Sequence, residues 1–174
     1  KNKDLVDKAE RIRWFGIDRK SKQAGIWEND ITEIGYKYQM TDIAAAMGIA
    51  SLSEFDEQSK LRKELFETYE VELANCDRLK VIGGGFSDRE HAAWLFTVLV
   101  EDRYTLQQKL RENGIESNQV HFRNDRYSIF NEFTEGKSFP NMDKLEDNYL
   151  VLPLHTKMGK DDVKRVCKII KVGW

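Results

Sequence analysis

The chain has 174 residues, of which 40% are hydrophobic and 33% are charged, with two prolines. This balance predicts a folded chain with a hydrophobic core and excludes a disordered one. The 28 Lys and Arg residues nearly cancel the 30 Asp and Glu residues, and the net charge of −2 argues against a partner held by bulk positive charge, whether nucleic acid or a membrane surface.

Cysteine usage and hydropathy indicate the compartment. Cys76 and Cys167 lie far apart and form no Cys-x-x-Cys motif, which fits reduced thiols in a cytoplasmic protein. No apolar run reaches the roughly 18 residues that span a bilayer. The first residue is Lys1 rather than methionine, so we expect the sequence to begin inside a longer protein.

The first 52 residues predict two helices separated by a loop. Four apolar residues at helical spacing predict a first helix that ends near Gly16: Leu5, Val6, Ala9 and Ile12. Residues 20–34 have no clean period and are expected to be irregular. After Thr41, a capping residue, the alanine-rich stretch with Ile43 and Met47 predicts a second helix that packs closely against a partner.

A long helix and a mixed segment follow. Leu61, Leu65, Tyr69 and Leu73 recur every fourth residue and predict a long helix over residues 53–74. β-rich runs predict strands at 79–82, 92–100 and 115–122, with the second central in a sheet. Further helices are predicted over 104–112, 142–150 and 161–172. This order predicts an α+β fold, a small mixed or antiparallel sheet covered on one face by helices.

Generic chemical motifs do not reveal a reaction. His91, His121 and His155 are widely separated, so their spacing predicts no metal site. The glycines of "GGGF", Gly83 to Phe86, are not followed by the Gly-Lys-Ser/Thr of a phosphate-binding loop and predict a turn. No Gly-x-Ser-x-Gly nucleophile elbow is present.

One unusual lysine precedes the alanine-rich helix. Lys37 stands between Tyr36 and Tyr38 in the sequence. A lysine held on a structured turn beside aromatic rings is suited to bind a phosphate as a point charge. The alternative is a surface lysine whose apolar stem covers two core tyrosines, and the residues alone favour this alternative.

The stretch "VHFRND" is the second candidate. It brings His121, Arg123 and Asp125 together just past a predicted strand, where ligand-binding side chains commonly lie. The alternative is a surface ion-pair network, which the residues alone again favour.

Longer motifs change this weighting. "RWFGIDR", followed by "DITEIGYKYQMTDIAAAMGIASLSEFDE", resembles the C-terminal half of the DegT/StrS family of pyridoxal-phosphate-dependent nucleotide-sugar aminotransferases. The resemblance continues through "WLFTVLVEDR", "NGIESNQVHFRND" and "LPLHTKM", so it covers essentially the whole chain. "GYKYQMTDI" with "VHFRND" is most similar to the branch of perosamine-synthase-like enzymes.

The resemblance implies the aspartate-aminotransferase fold, known as fold type I, and a homodimer whose active sites take residues from both subunits. Residues 1–52 would then be the end of the large domain and a dimer segment, and residues 53–174 the long helix and the small α+β domain. Lys37 would reach the phosphate of pyridoxal 5'-phosphate in the neighbouring subunit, with Tyr36 and Tyr38 beside it. Many relatives carry asparagine in place of this lysine.

The resemblance also implies substrate contacts. Gln39 stands where many relatives have an arginine, at a position that would hold the amino donor or the substrate. Trp27, His121 and Arg123 lie in segments that resemble those lining the sugar-nucleotide pocket.

The catalytic lysine of the family is expected outside this chain. It forms the Schiff base with the cofactor and lies in a Ser-Phe-x-x-x-Lys-like segment upstream of "RWFGIDR". No such segment is present in the 174 residues. We therefore assign no catalytic residue here, and we expect the cofactor to be bound mainly by a preceding domain and the isolated chain to be inactive.

The implied reaction is a ping-pong transamination from an amino donor, glutamate, to a keto-sugar nucleotide. Three alternatives stay open. The first is a dehydratase of the same family, in which histidine replaces the catalytic lysine. The second is a non-catalytic module that binds a partner chain through "GYKYQM" and the alanine-rich helix, and the third is a plain α+β structural domain.

Overall fold

The computed structural model describes residues 2–28 and 30–174. The chain divides into two compact units, Lys1–Ser53 and Glu54–Trp174. This division lies close to the predicted one between 1–52 and 53–174, whereas the assignment of the first part to a large domain stays a prediction. No helix among the described residues is long and apolar enough to span a bilayer.

The first unit contains three helices, α1 (Lys3–Ile12), α2 (Arg19–Gln23) and α3 (Asp42–Ser53). α1 confirms the predicted first helix. α2 occupies part of the segment 20–34 that was expected to be irregular, because Asp18 caps it by accepting hydrogen bonds from the N–H groups of Lys20 and Ser21 at 3.0 and 3.1 Å. Residue 29 of that segment lies outside the described residues.

α3 begins where the sequence predicts. The hydroxyl of Thr41 accepts a hydrogen bond from the Ala44 N–H at 3.2 Å, which satisfies one of the unpaired donors of the first turn. The helix buries none of its residues within this unit.

The second unit begins with the long helix α4 (Phe55–Leu73). The remaining elements are β1 (Leu79–Ile82), β2 (Phe96–Val100), α5 (Arg103–Glu112), α6 (Asn131–Thr134), α7 (Pro140–Glu146), β3 (Tyr149–Leu152) and α8 (Lys160–Lys171). Two turns of 3-10 helix, Asn124–Arg126 and Ser128–Phe130, precede α6. The α+β fold class is confirmed.

The three strands form one antiparallel sheet in the order β1-β2-β3, so β2 is central as predicted. Val98 of β2 lies opposite Val81 of β1 and Leu150 of β3. Because side chains alternate along a strand, residues 96, 98 and 100 of β2 point to one face and residues 97 and 99 to the other.

The face with Val98 packs on helices and forms the core. The predicted stripe of α4 is buried there through Leu65, Tyr69 and Leu73. Phe66 of α4 is also part of this core, and α5 and α8 contribute Leu106, Leu110, Val163, Val166, Cys167 and Ile170. The opposite face of the sheet is available to carry a site.

Two predicted elements are wrong. The strand expected over 115–122 is a single antiparallel bridge between Asn118 and Val151. The chain leaves the sheet after this bridge because the peptide N–H of His121 donates to the Tyr149 hydroxyl at 2.8 Å, and not to a carbonyl of a neighbouring strand. The helix expected over 142–150 ends at Glu146, and β3, which was not predicted, begins three residues later.

Candidate functional site

The segment around Lys37 is held by backbone hydrogen bonds to the end of α1. The Tyr36 N–H donates to the Ile12 carbonyl at 2.7 Å, and the Tyr38 N–H donates to the Arg13 carbonyl at 3.0 Å. In return, the Phe15 N–H donates to the Tyr36 carbonyl at 3.1 Å. These bonds fix Lys37 on a short extended segment within the first unit.

Two glycines permit this close approach. A Cβ atom built on Gly35 would lie 1.8 Å from the backbone nitrogen of Gly16, so no larger residue fits at position 35 without movement of the backbone. Gly16 itself has a φ of 76°, which favours glycine. From the sequence, Gly16 was interpreted only as the end of a helix.

Lys37 does not lie between the two tyrosine rings. Tyr36 and Tyr38 share one face of the extended segment and stack on each other, with ring centroids 4.9 Å apart and planes 11° apart. Lys37 points to the opposite face, where its Nζ lies 5.9 Å from the centroid of the Trp14 ring. The lysine is therefore an exposed cation against a tryptophan.

A second cation lies at the same tryptophan ring as Lys37. The Arg19 guanidinium also lies over the Trp14 ring, at 5.2 Å from its centroid. The nearby carboxylate of Glu33 is paired with Arg11 at 2.8 Å, and this hydrogen bond lowers the pKa of Glu33. Within residues 2–28 and 30–174, Lys37 forms no ion pair with a carboxylate. Two cations at one aromatic ring favour an anion, and sequence analysis missed Arg19.

The other predicted residues of the first unit lie on the same connecting stretch. Gln39 is half-buried and follows the tyrosine pair. Trp27 lies between α2 and α3 and is 74% exposed. Both remain predictions as substrate-binding residues.

His121 lies in the second unit, at a cavity on the outer face of the sheet. The cavity has a volume of about 960 Å3 and is bounded by Thr97 and Leu99 of β2. The peptide N–H of His121 donates to the Tyr149 hydroxyl at 2.8 Å, which holds the backbone of His121 at the cavity wall. Six aromatic residues line the cavity: Phe122, Tyr127, Phe130, Phe133, Phe139 and Tyr149. Its size and apolar lining are typical of a small-molecule pocket.

Arg123 also lines this cavity, but its guanidinium already donates hydrogen bonds to three carboxylates. It is 7% exposed and donates to Asp125 at 2.6 and 3.0 Å, to Asp143 at 2.7 Å and to Glu146 at 2.8 Å. These carboxylates raise the pKa of Arg123 above its ordinary value, with Asp125 the largest contributor. The contacts are those of the ion-pair alternative, and a direct role in substrate binding stays a prediction.

Six of the seven predicted residues fall into two groups, and Trp27 belongs to neither. Tyr36, Lys37, Tyr38 and Gln39 share one segment of the first unit, and His121 and Arg123 share one wall of the cavity in the second. Among the described residues, no group of three or more His, Cys, Asp or Glu side chains could hold a metal ion.

Known proteins resemble the whole chain. The sequence profile of the DegT/DnrJ/EryC1/StrS aminotransferase family matches residues 1–171. A Campylobacter jejuni enzyme, UDP-4-amino-4,6-dideoxy-N-acetyl-beta-L-altrosamine transaminase, is 26% identical over 95% of this chain and 44% of its own length. The GDP-perosamine synthase of Vibrio cholerae is 26% identical over 96% of this chain and 45% of its own.

A solved structure agrees with these sequence relatives. The sugar aminotransferase CalS13 from Micromonospora echinospora is 30% identical, and the two structures superpose with a TM-score of 0.90 over 99% of this chain. The match covers 46% of CalS13. The chain thus spans less than half the length of the relatives it matches.

Proposed function

The chain belongs to the DegT/DnrJ/EryC1/StrS aminotransferase family, and on this basis we propose that it is the C-terminal part of a sugar aminotransferase. The complete enzyme would use pyridoxal 5'-phosphate to transfer an amino group from glutamate to a keto-sugar nucleotide in the cytoplasm. The names of the Campylobacter and Vibrio relatives support a nucleotide-linked sugar as the substrate class.

The observation that carries this proposal is the exposed ammonium group of Lys37 on a backbone segment that is held in place. Its backbone is held by hydrogen bonds to the end of α1, and Arg19 adds a second positive charge at Trp14. A phosphate needs such a donor at a defined position with no competing carboxylate. The residues present therefore fit the phosphate of pyridoxal 5'-phosphate.

Pyridoxal phosphate held there would supply the chemistry of amino-group transfer between the donor and the keto sugar. In a homodimer, Lys37 would bind the cofactor phosphate of the neighbouring subunit, and the stacked pair of Tyr36 and Tyr38 would keep the binding segment rigid. A fixed phosphate orients the rest of the cofactor toward the substrate.

Substrate contacts are proposed separately for residues of each unit. We propose that Gln39 and Trp27 contact the amino donor or the sugar nucleotide, and that His121 contacts the sugar nucleotide at the cavity. Arg123 is placed to support this pocket, since its ion pairs with Asp143 and Glu146 join it to α7 and a third pair holds Asp125.

A chimaera tests the proposed function. The 174 residues would replace the matching 46% of CalS13, so that the catalytic lysine is supplied by the remainder of that protein. We expect the purified chimaera to bind pyridoxal phosphate and to aminate at least one member of a panel of UDP-, GDP- and dTDP-linked keto sugars. The isolated chain, incubated with the cofactor, is expected to show no visible absorbance of a lysine-bound form.

Two controls separate misfolding from a wrong assignment. Gel filtration and circular dichroism report whether the chimaera is folded, and its cofactor absorbance reports whether the site is assembled. A folded, cofactor-loaded chimaera that accepts an amino group from glutamate but transfers it to none of the keto sugars would contradict the proposal.

A further inference from the structure

Trp94 is a large aromatic residue at an exposed but fixed position. It lies just before β2 and is 62% exposed. Its ring faces that of His121, with centroids 6.1 Å apart and planes 53° apart. His121 in turn lines the cavity on the outer face of the sheet. The two rings are tilted, and both side chains are exposed.

The backbone of Trp94 is held from α4. One nitrogen of the Arg62 guanidinium donates to the carbonyls of Ala93, Trp94 and Leu154 at 3.3, 3.2 and 3.3 Å. The Ala93 N–H donates to Nδ1 of His91 at 2.8 Å. Both backbone polar groups of Ala93 are thus occupied by side chains.

Ala93 is also strained. It is buried and has a φ of 49°, a left-handed conformation that costs a non-glycine residue about 1–2 kcal/mol. Strain of this kind persists where the surroundings hold it, and it occurs frequently at ligand-binding sites. Here it turns the chain so that the next residue, Trp94, faces outward.

His121 is held independently from β3. Its N–H donates to the Tyr149 hydroxyl at 2.8 Å. Arg62 and Tyr149 therefore hold the backbone of two residues with exposed rings, from two different elements of the second unit. Side chains whose backbone is already ordered lose less entropy when a ligand binds, which makes them suitable contact residues.

We propose that Trp94, together with His121, binds the sugar ring of the nucleotide sugar, and that Arg62 positions Trp94. The inference rests on the proposed function and adds a residue that sequence analysis did not assign. A sugar ring has an apolar face of C–H groups that fits the Trp94 ring and hydroxyls that fit the imidazole nitrogens of His121. The adjoining cavity would take an apolar part of the same ligand.

Binding to the 174-residue chain tests this directly. The probes are UDP-N-acetylglucosamine and GDP-mannose, with UDP and GDP as probes that lack the sugar, and the readout is the indole N–H signals of the four tryptophans in 15N NMR. We expect both nucleotide sugars to shift the Trp94 signal saturably and the free nucleotides to leave it in place. Trp94→Ala should weaken binding of the nucleotide sugars roughly tenfold, by analogy with the loss of one ring-stacking contact.

Three variants separate recognition from folding. Trp94→Phe keeps a ring and should restore most of the affinity. Arg62→Met should weaken binding and broaden the Trp94 signal although the ring is retained. Tyr104→Ala removes a ring of matched exposure, 63%, on α5 and should change nothing.

The outcomes also distinguish this inference from the proposed function. Unchanged affinity in Trp94→Ala, or an equal shift of the Trp94 signal by free UDP and GDP, would overturn the sugar-ring assignment while a chimaera that aminates keto sugars still stands. If neither nucleotide sugar binds the chain, the inference is overturned. The proposed function is then tested separately, by the activity of the chimaera.

Discussion

The two units differ in how far they bury their apolar side chains. Every member of the hydrophobic core among the described residues lies in the second unit, between Leu65 and Ile170. The three helices of the first unit bury none of their described residues, and α3 leaves Ile43, Met47 and Ile49 at least 67% exposed. A helix that is apolar around its circumference is normally covered.

The two units are therefore stabilised in different ways. The second unit is stabilised by its own core, whereas the order of the first comes from backbone contacts and from a surface that we expect the assembled enzyme to supply. Lys37 belongs to the first unit, whose exposed apolar surface we expect to be covered in the assembled enzyme. Trp94 and His121 belong to the second unit, which has its own core. Four pairs of variants test the comparison, followed by one measurement on Lys37.

The largest effect is expected from a matched pair of isoleucines. Ile170 on α8 is fully buried, and Ile49 on α3 is 70% exposed. Ile170→Ala should lower the free energy of unfolding by about 2–5 kcal/mol, because it removes buried methyl groups and leaves a cavity. Ile49→Ala should change it by less than about 0.5 kcal/mol. Urea unfolding of the chain measures both, and equal effects would contradict the division.

A charge placed on α3 should disrupt association. We expect copies of the chain to associate through the exposed face of this helix, and Met47→Glu should weaken that association by roughly tenfold or more, since it buries a carboxylate at the contact. Val71→Glu on α4, where the valine is 77% exposed, is the control. Sedimentation velocity over a range of concentrations gives the dissociation constants. A wild-type chain that stays monomeric would show that α3 is covered by something other than a second copy.

A pair of glycines tests the Lys37 segment. Gly35→Ala places a Cβ within 1.8 Å of the Gly16 nitrogen. The amides of Tyr36 and Tyr38 should then lose their carbonyl partners, Ile12 and Arg13, and exchange hydrogen roughly tenfold faster. Gly48→Ala meets no atom within 4 Å and should stabilise α3 by up to about 1 kcal/mol. Protection of Tyr36 and Tyr38 that survives Gly35→Ala would show that the two backbones are not in close contact.

The smallest effect is a pH dependence in the second unit. The hydrogen bond from Arg123 lowers the pKa of Asp125, and hydrogen bonds from Arg126 and then Arg123 lower the pKa of Glu146. A carboxylate with a lowered pKa stabilises the fold above its unfolded pKa, about 3.9 for Asp and 4.3 for Glu, and this stabilisation is lost as the pH falls through the folded value.

Arg123→Met should therefore lower Tm by several degrees at pH 7, and the difference from wild type should shrink below about pH 4. Arg89→Met, which removes an exposed pair with Asp88, should produce a smaller difference. Thermal unfolding from pH 3 to 7 measures both variants. A difference for Arg123→Met that is constant across this range would show that the ion pairs do not account for its stabilising role.

Periodicity predicted the helices well and the strands less well. The stripe of α4, the central strand β2, α5 and α8 were all confirmed, because long amphipathic helices and a uniformly apolar strand leave clear patterns. β3 was missed because its four residues follow α7 after only two others, so its apolar run was interpreted as the end of a helix. Residues 115–122 resemble a strand in composition, but they pair only at Asn118. The peptide N–H of His121, three residues later, donates to the Tyr149 side chain and not to a strand.

The geometry of the candidate site could not be predicted from the sequence, and the roles assigned to its residues stay predictions. Lys37 was identified from its neighbours in sequence, yet alternation along an extended segment places it away from both tyrosines and against Trp14. The role of Arg123 depends on Asp143 and Glu146, about 20 residues away in sequence, which no local pattern connects. Trp94 begins the stretch "WLFTVLVEDR", but the sequence assigned it no ligand contact, because the contacts that hold its backbone come from Arg62 on another element.

The most direct test of the central claim is the affinity of the chimaera for pyridoxal 5'-phosphate. Lys37→Met should weaken cofactor binding by roughly ten- to a hundredfold, because a hydrogen bond to a charged group contributes about 1.5–3 kcal/mol. Lys37→Asn keeps a neutral donor and should lose less, and Lys8→Met, at an exposed lysine of α1, should lose nothing. If Lys37→Met binds the cofactor as tightly as the unmodified chimaera, Lys37 is not a phosphate ligand and the claim fails.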